Sequence, residues 1–254
     1  MALINIKFLS ETLGRQVDIN VIIPQKSTSG EIGIGNNAKD VKYKTLVLLH
    51  GLSDDNTIWL RRTSIDRYAT ERGIAVIMPD GERGFYTDNA YGDKYYTFIT
   101  KEVLKVAREF LPLSDKREDT FVAGNSMGGY GAIKMALKNP EIFSAGAGLS
   151  SVADVEKFMN EHAPYLKERI FGSMAKVPCE EDLFCLAKAG EKKALKPRIY
   201  MGEGFGDFMY EENVRLKSLF ETLDYDFTYA EGEGVHNWAF WDEYVQYVLS
   251  WLLD

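Results

Sequence analysis

The chain is poor in the residues that build metal and disulfide scaffolds: its 254 residues include two cysteines and three histidines. Cys179 and Cys185 are too few for a disulfide framework, and their spacing misses the C-x-x-C redox or metal pattern. On one helix they would face different ways, so the expectation is two buried free thiols rather than a bridge. His50, His162 and His236 make a poor basis for a His-rich metal site, and no metal or other cofactor is expected. Positive charge is also scarce, with 30 Lys and Arg against 38 Asp and Glu, a formal net charge of −8. The basic residues are scattered, which argues against a nucleic-acid surface or a polybasic membrane anchor. No apolar run approaches the roughly 18 to 20 residues that span a bilayer. The opening MALINIKFLSE has no basic leader, and Lys7 and Glu11 interrupt it, so it reads as no secretory signal and favours a cytoplasmic location. With no repeat, low-complexity tract or linker, residues 1–254 read as a single domain.

What the chain does have is a regular alternation of short apolar runs and helical periodicity. Ile4 to Leu9 and Val17 to Ile23 read as two strands pairing as a hairpin-like edge, followed by a long polar loop from Lys26 to Asp40. Thr45 to Leu49 is continuously apolar, the mark of a strand buried on both faces. A helix is expected over Thr57 to Arg72, then a strand from Ile74 to Met78 halted by Pro79, a glycine-rich loop, and a helix from Tyr96 to Phe110. Further strands are expected at Phe121 to Ala123, Ala145 to Leu149, Arg198 to Met201 and Phe227 to Ala230. Helices follow at Ser126 to Lys138 and Ala239 to Leu252. The pattern implies a mostly parallel, eight-stranded twisted sheet with helices on both faces. Residues 152–196 break the rhythm after the sixth strand. They read as a small helical insertion, a lid or pocket wall over the ligand crevice.

One corner concentrates glycine. Gly124-Asn125-Ser126-Met127-Gly128 fits G-x-S-x-G between an apolar strand and a helix, the nucleophile elbow. A strand-to-helix turn that sharp strains the serine backbone and leaves no room for side chains at the flanking glycines. In return it projects the Ser126 hydroxyl from the sheet edge and sets the Met127 N–H at a helix start, where it can stabilise an oxyanion. Of the histidines, His50 ends a buried strand and is expected to shape the next turn, and His162 falls on a surface helix of the insertion. His236 lies in the loop between the last strand and last helix, at the same sheet edge as Ser126, and is the expected base. The orienting acid should follow a strand between these two. Asp207 does; Glu203 sits close to the strand end and reads as a loop cap, while Asp224 and Asp226 lie at the opposite end of the sheet. The Leu52 amide, in the segment after the third strand, is the second oxyanion donor, with Gly51 allowing close approach of substrate.

The segments LLHG, WLRRT, GFYTDNAYGDKYYTF, GNSMGGYGA, GEGFGDFMYEEN and GVHNWAFWDEY, spread in order along the chain, resemble the esterase D-like α/β-hydrolases, in particular small bacterial tributyrin and acetyl-type esterases. The resemblance implies Ser126, Asp207 and His236 as a triad, with Leu52 and Met127 as oxyanion donors. By analogy the segment Gly84 to Asp88, with Phe85 and Tyr86, lines the pocket rim, aromatic packing of a long loop being the other reading; Trp59 and Trp238 pack around the site or belong to the core. Asn125 departs from the His or Leu common at that position. The implied activity is cofactor-free hydrolysis of a small short-chain ester. An S-formylglutathione thioesterase, a feruloyl or acetyl-xylan esterase, and a non-catalytic binding module of the same fold are the rival readings. Edge strands and exposed aromatics leave room for a homo-oligomer.

Overall fold

The structure is a computed structural model that describes residues 1–25, 42–173 and 176–254. The polar loop expected from Lys26 to Asp40 lies outside these residues. In chain order, β1 (Ala2–Ser10) and β2 (Arg15–Ile23) pair antiparallel. β1 alternates half-buried and exposed residues, as an edge strand with one solvated face should. After β3 (Thr45–Leu49) come α1 (Ile58–Arg62), α2 (Ile65–Arg72) and β4 (Ala75–Pro79). Then follow α3 (Tyr95–Thr97), a π-helical run over Phe98–Val103 and α4 (Leu104–Phe110). β5 (Thr120–Asn125), α5 (Met127–Lys138) and β6 (Ala145–Leu149) carry the centre of the sheet. The insertion holds α6 (Val155–Glu161), α7 (Pro164–Phe171) and α8 (Leu183–Glu191), and β7 (Arg198–Gly204), α9 (Tyr210–Phe220), β8 (Phe227–Gly232) and α10 (Trp238–Leu253) complete the chain.

The eight strands lie in the order β1-β2-β4-β3-β5-β6-β7-β8, with β3 to β8 parallel and the first hairpin joined antiparallel to β4. This is the expected mostly parallel sheet. Period-two geometry splits each central strand between two cores. Val47 and Leu49 join the side with α5 and the insertion, and Leu46 and Leu48 join the side with α1, α2 and α10. The connection reverses direction between β3 and β5, so the crevice for a ligand opens at their carboxyl ends.

Three local expectations change. The helix expected over Thr57 to Arg72 is two helices, because Thr63 turns extended and its hydroxyl accepts the Ile65 N–H at 3.1 Å. Glu203 is no loop cap: β7 runs on to Gly204 and Glu203 lies fully buried within it. Nor are the two cysteines free. Cys179 sits in a 3₁₀ turn (Cys179–Glu181) and Cys185 in the first turn of α8, and the break at Asp182 brings their Cα atoms to 5.4 Å and closes a disulfide. The one-helix geometry that would have parted them does not exist.

That turn also pins the insertion to the sheet's central helix. Glu181 accepts Lys134 Nζ at 2.6 Å and Lys138 Nζ at 2.9 Å, and its backbone carbonyl accepts the Tyr130 hydroxyl at 2.7 Å. Lys134 is fully buried; burial lowers it to about 8, against the raising effect of Glu181. Removing one member of a buried pair strands the other charge. Glu181→Ala is therefore expected to lower stability by about 3–5 kcal/mol. The double variant E181A/K134M should recover most of that loss, both read by urea denaturation.

Candidate active site

The corner between β5 and α5 is set by crowding. A Cβ on Gly124 would meet the Gly128 carbonyl group at 2.6 Å, and one on Gly128 would meet the Leu49 carbonyl oxygen at 2.5 Å. Both distances are inside van der Waals contact, so only glycine allows the helix to start this close to β3. Between them Ser126 adopts φ 55°, ψ −118°, in the left-handed region that an L-residue occupies at a cost of roughly 1–3 kcal/mol. Its N–H donates to Leu149 O at 2.8 Å, and its carbonyl accepts from Tyr130 N and Val152 N at 3.1 and 3.2 Å. The hydroxyl is thereby held at the open end of the sheet.

Two further loops leave the same edge and are stitched together. Phe205 N–H donates to Gly232 O and Gly206 N–H to Gly234 O, each at 2.9 Å, and Gly234 takes φ 154° where a Cβ would strike the Phe240 ring. Asn237 caps α10 by accepting the Phe240 N–H. These contacts fix Asp207 and His236. His236 Nε2 lies 3.1 Å from Ser126 Oγ, and Nδ1 lies 2.9 Å from Asp207 Oδ2. Asp207 Oδ1 accepts the Met209 N–H at 2.9 Å. Burial works to raise the Asp207 carboxyl, but His236, the Met209 amide and Ser150 hold it below its ordinary value. With that carboxylate on Nδ1, the tautomer that presents a bare Nε2 to Ser126 is favoured. The Trp241 and Phe208 rings stand 4.9 Å from the imidazole and shield it.

A cavity of about 410 Å³ opens over these groups, lined by Gly51, Leu52, Asn125, Ser126, His236 and Trp238 among others. Met127 is the first residue of α5, so its N–H has no intrahelical acceptor. Phe158 and Phe208 form part of the wall and also border a second chamber of about 230 Å³ under α6. Not every expected pocket residue reaches the space. Trp59 is buried, donating its indole N–H to Leu49 O and standing edge-on to Trp238. Phe85 and Tyr86 are fully buried as well; the Tyr86 hydroxyl donates to His50 O at 2.7 Å, making that loop packing rather than rim. His50 donates from Nδ1 to Gly51 O and accepts the Gly81 N–H on Nε2, the turn-shaping part expected of it. His162 sits between Phe158, tilted against it, and Phe208, edge-on to it, and does not line the cavity over Ser126. The sequence reading missed Phe158, which no motif flags, and Phe208, which directly follows Asp207.

A doubly flanked, mostly parallel sheet with a serine at the elbow after β5 and an acid and a histidine after β7 and β8 is the α/β-hydrolase fold. The chain matches the family model described as "Putative esterase" over residues 10–247 and belongs to that family. It is 32% identical to an acetyl esterase of Caldicellulosiruptor saccharolyticus, across 99% of this chain and 98% of the relative. Two solved structures from Staphylococcus aureus are also similar. One is FphF, a fluorophosphonate-binding serine hydrolase with substrate bound (35% identity, TM-score 0.90, covering 100% of this chain and 98% of that one). The other is the apoenzyme of the S-formylglutathione hydrolase FrmB (34% identity, TM-score 0.87, 100% and 99%). The esterase D-like resemblance is borne out, and the chain is a carboxylic ester hydrolase. Among the described residues no helix is long and apolar enough to cross a membrane.

The crowding at the corner makes a direct expectation. Gly128→Ala should push α5 off β3 and displace Ser126, lowering kcat/KM by on the order of 10²-fold, as about 1 Å of misplacement does. Steady-state kinetics alongside a thermal melt reads both effects.

Proposed function

We propose that Ser126 is the nucleophile, His236 the general base and acid, and Asp207 the orienting carboxylate of a serine esterase acting on short-chain acyl esters. The observation that carries this reading is the line hydroxyl–imidazole–carboxylate at 3.1 and 2.9 Å, with the hydroxyl and imidazole lining one cavity and the carboxylate buried. Neutral His236 takes the Ser126 proton from Oγ as the hydroxyl attacks the ester carbonyl. The tetrahedral oxyanion is held by the Leu52 and Met127 amides. His236 then gives the proton to the departing alcohol, and in the second half-reaction takes one from water to release the acid and restore Ser126. Asp207 keeps Nδ1 protonated and stabilises the imidazolium between these steps.

The small size of the two chambers and the likeness to an acetyl esterase favour a short acyl group. On this reading the helical insertion, residues 152–196, is the pocket wall, with Phe158 of α6 partitioning the two chambers. The likeness to an S-formylglutathione hydrolase favours a second substrate class, a thioester with a small acyl group, handled by the same residues.

Ser126→Ala is expected to lower kcat by roughly 10⁴ to 10⁶ and to abolish labelling by a fluorophosphonate probe. Near-normal turnover by that variant would overturn the assignment. Asp207→Asn should cost on the order of 10⁴ through the wrong tautomer. A p-nitrophenyl ester series from acetyl to octanoyl, run beside S-formylglutathione, should show kcat/KM falling beyond the short acyl chains. A flat or rising series would contradict the short-chain preference.

A further inference from the structure

Beneath the acid of this site lies a second carboxyl that the hydrolysis scheme does not use. Glu203 is fully buried in β7, four residues before Asp207. Its Oε1 accepts the Gly204 N–H at 3.2 Å. Its Oε2 is buried and receives no donor, and Asp207 is foremost among the charged groups that act on it. A buried oxygen to which nothing donates is costly as an anion but satisfied as a hydroxyl beside an acceptor.

Two neighbouring buried carboxyls cannot both ionise, and their surroundings decide which one keeps the proton. Asp207 has His236 Nδ1, the Met209 N–H and the Ser150 hydroxyl to hold its charge. Glu203 has one amide. The other groups that act on it are Glu212 and Tyr210 from α9 and Tyr229 from β8, a carboxyl and two phenols. The nearby lysines are engaged elsewhere: Lys157 pairs with Glu212, and Lys217 lies over the Tyr229 ring at 4.4 Å. Burial, with the Asp207 carboxylate next, pushes the Glu203 carboxyl up to about 10.

We propose that Glu203 is a protonated positioning residue whose carboxyl O–H donates to the Asp207 carboxylate, extending the line to Glu203–Asp207–His236–Ser126. This deepens the triad reading and rests on it. The proton stays on Glu203 throughout. By sharing the Asp207 charge, the donated hydrogen bond weakens that carboxylate's hold on the imidazolium. Without it the full carboxylate charge bears on the imidazolium that forms as the Ser126 proton is taken, which would move the acid limb of the rate to higher pH. The same bond fixes the carboxylate plane against β7.

The test is the acid limb of kcat/KM against pH for an acetyl ester, using the whole chain as wild type, Glu203→Gln, Glu203→Met and Ser126→Ala. Gln can accept from Gly204 and donate to Asp207 as the neutral acid does, so its limb should stay where the wild type's is. Met keeps the length and loses the donor, and its limb should rise by about 0.5–1 pH unit, the worth of one hydrogen bond. A limb that falls in E203Q would mean that Glu203 is an anion, and a wild-type limb in E203M would mean that it does not act on Asp207; either overturns the proposal. Simple loss of packing would lower the melting temperature and leave the limb in place.

E203Q gives a second reading that does not depend on E203M folding. A carboxyl raised in the folded state loses stability as pH climbs from its unfolded value toward about 10. The urea midpoint of E203Q should therefore pull ahead of wild type steadily from pH 5 to pH 9, and a constant gap would overturn the proposal. Ser126→Ala separates the two levels. If that variant keeps turnover, the triad itself fails; if it is inactive while the Glu203 variants miss their marks, only the role of Glu203 fails.

Discussion

The close approach of α5 to the carbonyl end of β3 is the contact on which the rest of the site depends. It exists because Gly124 and Gly128 offer no side chain to the Leu49 and Gly128 backbone. With the helix seated that deeply, Ser126 has nowhere to go but into a left-handed conformation at the edge of the sheet, and the first amide of α5 faces the same space. The strain is local, and a helix buried over all but its last residue and a strand buried on both faces hold it in place. Everything else in the site is an arrangement of loops around that fixed point.

Charge is buried under two different regimes in this protein. On the insertion side, Lys134 is compensated by Glu181 with direct hydrogen bonds, so both can remain charged and the pair acts as a fastening between helix and insertion. Under the site, Glu203 and Asp207 carry the same sign and cannot both be charged. There the asymmetry of donors separates them, one carboxyl surrounded by an imidazole, an amide and a hydroxyl, the other by a single amide. The same low-dielectric interior thus ties elements together in one place and sorts protonation states in another.

Much of the fold was legible before any coordinates. The continuous apolar run Thr45–Leu49 announced a strand buried on both faces, Ala145–Leu149 a further short strand, and the boundaries of both match the sheet. The glycine corner, His236 in the last loop and Asp207 after the seventh strand were found by chain order and residue type, and the three side chains lie within hydrogen-bonding distance of one another in turn. Where the reading failed, long-range geometry was responsible. Glu203 looked like a loop cap because the strand was expected to end at Met201, yet pairing with β6 and β8 carries β7 to Gly204. Phe85 and Tyr86 were read by analogy as rim or as loop packing, and packing is what the structure shows: the Tyr86 ring fills the space over Gly81 and Gly131.

Residue type and order along the chain were enough to determine the class of sheet and the edge at which its loops converge, because backbone sterics and hydrophobic periodicity act over a few residues. Tertiary structure alone decided that the cysteines pair, that Phe158 and Phe208 line both chambers, and that Glu203 is buried under the influence of Asp207. Each of these joins residues through space across a chain reversal, and a local pattern carries no information on how two such segments are brought into contact.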